Sequence, residues 1–197
     1  VISSPTMPRT LIVHAHPRPA QSVATRGLLL ALSELPDVAV RPLYDRYPDF
    51  DIDVAAEQQA LREADLIVWL SPVYWYSVPG LLKHWFDTVL THGWAYGHAH
   101  AAQGTGPATQ ALAGKTAWWV ASAGGLPATY GPAGEHGRPF PDYTHAVEQT
   151  ARFCGMHWAP PFVLHGGHRL DAAARAEAGH ELRLQAQALL ASLERGA

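Results

Sequence analysis

The run Leu66-Ile67-Val68-Trp69-Leu70 is apolar without interruption between Asp65 and Ser71. A strand with one wet face alternates, so a run without alternation is covered on both faces, as the central strands of a parallel sheet are by their crossover helices. That requirement points to an α/β layer structure. The chain has 197 residues, 48% of them hydrophobic and 16% charged, enough apolar material for one continuous core. A single domain over 10–197 is expected, after a loose lead-in over 1–9 that holds Pro5 and Pro8.

Other segments repeat the pattern. Residues 10–14 form a short β-branched run that stops at His14-Ala15-His16-Pro17-Arg18-Pro19, where two prolines enforce extended or turn geometry. Helical spacing of Val23, Leu28, Leu29, Leu32 and Leu35 predicts a helix over 22–35, closed by Pro36 and Asp37. A strand over 38–43 and a short Asp-capped helix over 53–63 follow. After the strand over 66–70 comes an aromatic segment, Val73-Tyr74-Trp75-Tyr76-Ser77-Val78. Pro79 then opens a helix whose apolar face carries Leu81, Leu82, Trp85, Phe86, Val89 and Leu90. Residues 92–114 read as a long, His-rich connection of the functional-loop kind. A strand over 115–122 empties into Ala123-Gly124-Gly125, and 126–138, rich in glycine and proline, reads as a lid or rim. A helix starting near Asp142, a strand over 156–164 and a helix over 171–193 complete the chain. Pro160 and Pro161 place the last strand near an edge. Five strands with intervening helices make an open βαβ sheet with right-handed crossovers.

Several classes of function lose ground. A formal charge of -3, without a Lys/Arg block, gives no footprint for nucleic acid. The single cysteine, Cys154, forms no internal disulfide and reads as structural. No stretch reaches the roughly 18 apolar residues of a membrane span, so a cytoplasmic, reduced setting is expected. Twelve histidines are scattered without HExxH or paired cysteines, and no metal site is expected. Trp85, Trp118 and Trp119 read as core or interface residues.

Open parallel sheets bind ligands at the carboxyl ends of their strands, where neighbouring connections leave toward opposite faces. The loops beginning at His14, Ser71 and Ser122 should therefore converge. The first lacks both GxxxxGK[ST] and GxGxxG, which argues against ATP hydrolysis and against a standard dinucleotide crevice. The Ser22 hydroxyl and the N–H groups that open the following helix suit the phosphate of a flavin, with His16 as a further donor. The plainer readings are an N-cap for Ser22 and a loop-capping role for His16. Backbone groups from Pro72 to Tyr76 suit the edge of an isoalloxazine, and Trp75 or a neighbouring ring suits its face. Ser122, Gly124 and Gly125 offer the other edge.

The runs His14-Ala15-His16-Pro17 with Ser22, 43–50, 71–79, 81–87 and 91–97 together resemble the flavodoxin-like NAD(P)H:quinone oxidoreductases. They are particularly similar to the ancillary oxidoreductases of glutathione-regulated potassium efflux systems, and the likeness runs from Thr10 onward. The resemblance implies a flavodoxin-like five-stranded parallel sheet of order 2-1-3-4-5 with helices on both faces. It implies FMN, NADH or NADPH as donor, and a quinone as two-electron acceptor. Carried over by position, His16, Ser22, Val23 and Ala24 would hold the phosphate. Pro72, Val73, Tyr74, Trp75 and Tyr76 would hold or cover the ring, and Ser122, Ala123, Gly124 and Gly125 would complete it, with Tyr130 at the rim. Where the family often has Asn beyond the first-loop Ser, this sequence has Thr25. The resemblance also implies a homodimer, with 92–106 as the candidate interface or neighbouring-site loop.

The expected chemistry is a ping-pong exchange: reduced nicotinamide stacks on FMN, delivers hydride to N5 and leaves before the quinone takes the same face. Tyr130, His157 and His92 are the candidates for protonating the quinone. Lys83 and Arg138 are candidates for the extra phosphate of NADPH, with surface roles as the alternative, and the donor preference is open. A different class of function is regulatory: an ancillary subunit docked at the inner face of the membrane on a potassium efflux transporter. An electron-transfer flavodoxin is disfavoured by the low charge.

Overall fold

The computed structural model describes residues 9–97 and 110–196. Most of the expected lead-in and the 98–106 part of the proposed interface loop lie outside these residues. Five parallel strands make one sheet in the order β2-β1-β3-β4-β5. They are β1 (Thr10–His14), β2 (Val38–Pro42), β3 (Leu66–Pro72), β4 (Thr116–Ala123) and β5 (His157–His165). The helices are α1 (Ala24–Ser33), α2 (Leu43–Arg46), α3 (Val54–Glu63), α4 (Gly80–Val89), α5 (His145–Phe153) and α6 (Ala172–Gly196).

The period of two along buried strands assigns the layers. Leu11, Val13, Ile67, Trp69, Ala117 and Trp119 pack with α3, α4 and α5 residues such as Leu61, Trp85 and Val147. Their neighbours Ile12, Leu66, Val68, Leu70, Trp118 and Val120 pack with Leu28 and Leu32 of α1 and Leu182 and Ala186 of α6. Trp69, Trp85, Trp118 and Trp119 are fully buried, and truncating any of them would cost about 3–5 kcal/mol. Cys154 is buried too, and desolvation pushes its thiol up to about 11, which leaves it unreactive.

Several boundaries differ from the sequence expectation, among them α5, which starts at His145 after a 3-10 turn over Phe140–Tyr143 rather than near Asp142. β3 continues through Ser71 and Pro72, because the buried Ser71 hydroxyl is satisfied by Trp119 Nε1–H at 3.2 Å. Leu43 belongs to α2 rather than to β2, and a 3-10 turn, Pro19–Gln21, precedes α1. At the outer strand, the β4–β5 register shifts between Trp118 and Val120, opposite Pro160 and Pro161.

One buried carboxylate ties the layer below the first loop. Glu57 of α3 is fully buried and accepts from Arg41 Nε at 2.9 Å, Tyr47 OH at 2.6 Å and Trp85 Nε1–H at 3.0 Å. The same residue pairs with Arg41 Nη2 at 2.5 Å, so β2, the end of α2, α3 and α4 share one charged centre. A rigid shelf thus underlies the carboxyl ends of β1 and β2.

Candidate active site

The chain leaves β1 for β2 on one side and then crosses to β3 on the other, so the switch point lies between β1 and β3. Three hydrogen bonds join the loops there. Ala15 N–H donates to Leu70 O at 2.9 Å, and Val73 N–H donates to Ser122 O at 2.8 Å. Thr25 in the first turn of α1 lies 3.0 Å, hydroxyl to hydroxyl, from Ser122. Thr25 is fully buried, so the departure from Asn at this position makes an internal tie between α1 and β4.

Ser22 follows the 3-10 turn, and Val23 occupies the N-cap of α1 without any side-chain cap bond. The first-turn N–H groups of α1, including Ala24, therefore meet no capping side chain, the arrangement that favours an anion. His16 Nδ1 accepts the Arg18 N–H at 3.0 Å, and the ring stands edge-on to Tyr74 at 6.3 Å. Burial lowers its pKa. With Nδ1 accepting and the ring neutral, Nε2 carries the hydrogen and is the free donor.

The aromatic segment is a tight turn. Tyr74 N–H donates to Ser77 O at 2.9 Å and Ser77 N–H to Tyr74 O at 3.0 Å, with Trp75 at φ 50 and Tyr76 at φ 62. Trp75 is 93% exposed, and Tyr74 and Tyr76 are about half exposed, which is costly for three rings unless something flat covers them. Across the slot, Gly124 has open space, whereas a Cβ on Gly125 would lie 2.8 Å from both His136 Nε2 and Thr129 Oγ1.

Residues 126–138 form a tied rim: Gly131 N–H donates to Arg138 O at 2.8 Å and His136 N–H to Thr129 O at 3.0 Å. This rim carries Tyr130 and His136, with rings 4.3 Å apart and 30° from parallel. Phe140 and His165 flank Tyr130 at 5.2 and 5.1 Å. Desolvation, followed by the nearby Tyr76 and Tyr143, raises the Tyr130 phenol pKa, so it stays protonated at neutral pH. Gly125 O accepts from Gly166 N–H at 3.1 Å and lies 3.3 Å from His165 Nδ1, anchoring this edge to the end of β5.

His157 and His92 do not join the cluster. His157 is the first residue of β5, its N–H donating to Lys115 O at 2.8 Å, at the amino edge of the sheet. In a parallel sheet that puts the nine-residue strand, roughly 30 Å, between it and the carboxyl edge. His92 lies beyond the far end of α4, packed edge-on to Tyr96 at 5.6 Å, about 15 Å of helix from the 74–77 turn. Within one subunit neither reaches the slot occupied by Tyr130. Lys83 and Arg138 are both in i,i+4 ion pairs, with Asp87 at 2.6 Å and Asp142 at 3.6 Å. The sequence reading passed over His136 and His165, which lack a local motif; the only signal was that Tyr130 shares a glycine-rich stretch with a histidine six positions on.

The family model described as flavodoxin-like fold matches residues 8–189. The chain belongs to that family. This flavodoxin-like chain is 46% identical over 155 residues to the glutathione-regulated potassium-efflux system ancillary protein KefF of Klebsiella aerogenes, covering 79% of this chain and 81% of that protein. It also resembles the general stress protein 14 of Treponema denticola, solved in complex with FMN, with 36% identity, a TM-score of 0.78, and coverage of 94% and 99%. An NADPH-quinone reductase from P. pentosaceus matches at 28% identity and a TM-score of 0.74, covering 89% of this chain and 95% of that one. Among the described residues, no helix is long and apolar enough to cross a membrane.

Proposed function

We propose that the chain is an FMN-dependent NAD(P)H:quinone oxidoreductase whose two substrates alternate on one ring face. The observation that carries this reading is the junction of the first loop, the first turn of α1 and the carboxyl ends of β3 and β4 through the Ala15–Leu70, Thr25–Ser122 and Val73–Ser122 hydrogen bonds at a single switch point. The donor set fits a flavin mononucleotide: uncapped helix N–H groups and an imidazole N–H for the phosphate, exposed rings and backbone edges for the isoalloxazine. His16, Ser22, Val23 and Ala24 would hold the phosphate. Pro72, Val73, Tyr74, Trp75 and Tyr76 would hold or cover the ring, and Ser122, Ala123, Gly124 and Gly125 would meet its other edge.

Bound there, FMN would supply two-electron redox chemistry, taking hydride equivalents from nicotinamide and passing them to quinone. The chain's own work is to orient the flat partners and to manage a proton. Tyr130 holds its phenolic hydrogen, and His136 offers an imidazole N–H beside it; together they hold donors at the slot where negative charge develops. The rings of Trp75, Tyr76 and Tyr130 keep water from the stacking face.

The test is spectroscopic. Protein prepared with flavin supplementation should show bound FMN, bleach with NADH or NADPH, and recover its absorbance on adding a small quinone. Flavin-free protein with no nicotinamide-dependent quinone reduction overturns the reading.

The likeness to KefF over four-fifths of each chain favours a second role, as an ancillary subunit of a potassium efflux transporter at the inner face of the membrane. Surface substitutions that keep the reductase rate but abolish stimulation of efflux would establish it. We also propose a homodimer built on the groove of about 410 Å³ between α4 and α5, lined by Val78, Phe86, Leu90, Tyr96, Val147 and Phe153.

A further inference from the structure

The 74–77 turn has a conformation that chains ordinarily reach with Asn and Gly, because both central residues sit at positive φ. Here the two positions hold Trp75 and Tyr76, and a bulky side chain in that region costs about 1 kcal/mol or more. The position secures three contacts for Tyr76. Its ring stacks on Tyr143 at 4.8 Å and 28°, it stands nearly perpendicular to the His136 ring at 5.7 Å, and its hydroxyl lies 3.3 Å from His136 Nδ1.

We propose that Tyr76 is a positioning residue: its phenol donates to His136 Nδ1 and so holds that imidazole as the Nε2–H tautomer, with the N–H at the Gly125 end of the slot. The inference rests on the role given to His136 above. A neutral imidazole has one donor and one acceptor nitrogen, and a bond to one nitrogen sets the state of the other. A phenol O–H is more acidic than a neutral imidazole N–H, so in such a pair the phenol is the donor. The opposite nitrogen lies over Gly125, where a Cβ would come within 2.8 Å of it.

The backbone of His136 is held independently. Its N–H donates to Thr129 O at 3.0 Å and its carbonyl accepts from Tyr143 OH at 2.9 Å. What these bonds leave free is the rotation and protonation of the ring, and Tyr76 acts on both. The 3.3 Å separation is at the long end for such a bond.

Tyr76→Phe keeps the stacked ring and removes only the donor. In flavin-free protein labelled with 15N-histidine, long-range proton–nitrogen correlation at pH 8 reads the tautomer directly, with His136 assigned by its loss in His136→Gln. The expected result is Nε2–H in the parent and in Tyr143→Phe, and a mixture with Nδ1–H in Tyr76→Phe. In FMN-loaded enzyme, Tyr76→Phe should lower kcat about tenfold with the quinone KM unchanged, a part of the hundredfold or more that a placed proton donor contributes. The double variant Tyr76→Phe/His136→Gln should be no slower than His136→Gln alone. An Nδ1–H parent, an unchanged tautomer in Tyr76→Phe, or an equal change in Tyr143→Phe overturns the proposal. His136→Gln at the parental rate would instead remove the role of His136 under Proposed function, and the catalytic half of this inference with it.

Discussion

His14 closes β1 at 6% exposure, and its Nε2 is buried without a hydrogen-bond partner among the described residues. Burial, then the neighbouring His16, lowers the imidazole pKa to about 4 against a partial upward pull from Asp45. An unfolded histidine titrates near 6.5. As pH falls from there, the unfolded chain takes up a proton that the folded chain refuses. The stabilisation is therefore complete above that value and is lost as pH falls through about 4. About 2–3 kcal/mol should go between pH 7 and 4.5 through this residue alone. Urea unfolding at a series of pH values should show a visibly shallower acid loss in His14→Gln; parallel curves for the two proteins would refute the assignment. Nothing in the His14-Ala15-His16 string distinguishes its two imidazoles, since the difference lies in what packs over them.

Among the elements, the rim 126–138 is where local chemistry and structure part company. Two prolines and three glycines leave a lid or a rim open, and backbone bonds within it and the packing of Gly125 beneath it make a fixed wall. Gly125→Ala would press a methyl group within 3.0 Å of His136, Thr129 and Tyr130 at once. Overpacking of this kind costs typically 1–3 kcal/mol. The expected outcome is a folded protein with lowered thermal stability and quinone reduction down at least tenfold, while Gly124→Ala, facing open space, keeps its stability. Equal melting temperatures for Gly125→Ala and the parent would show that the wall yields.

The same contrast explains what could be read in advance. Apolar runs such as 10–14 and 66–70 carry their burial in their composition, so the strands and the meeting of three loops were legible from the residues, while the strand order came from the family resemblance. A one-turn helix such as α2 has no period to detect, and polar Ser71 hides its strand character until Trp119 supplies a partner. Roles fared differently from topology. The resemblance put Tyr130 at the rim, but His136 comes to it only through the fold of the loop, and the strand expected over 156–164 already had His157 at its amino end, away from the three loops.

For the whole molecule, the exposed apolar side chain of Phe153, 60% accessible beside Tyr96 at 5.0 Å, stands at the mouth of the α4–α5 groove. Sedimentation should give twice the monomer mass for the parent protein, and Phe153→Arg should shift it toward monomer with the melting temperature lowered. A monomeric parent would dismiss the dimer.

The proposed pairing of copies is further narrowed at β5, one of the two edge strands of the sheet. Pro160 and Pro161 lie opposite Trp119 at the register shift, so two consecutive residues of this edge strand lack an amide donor where the ladder is already irregular. A neighbouring molecule seeking to lengthen the sheet would meet a gap in the ladder it needs. Growth into ribbons through β5 is thereby discouraged.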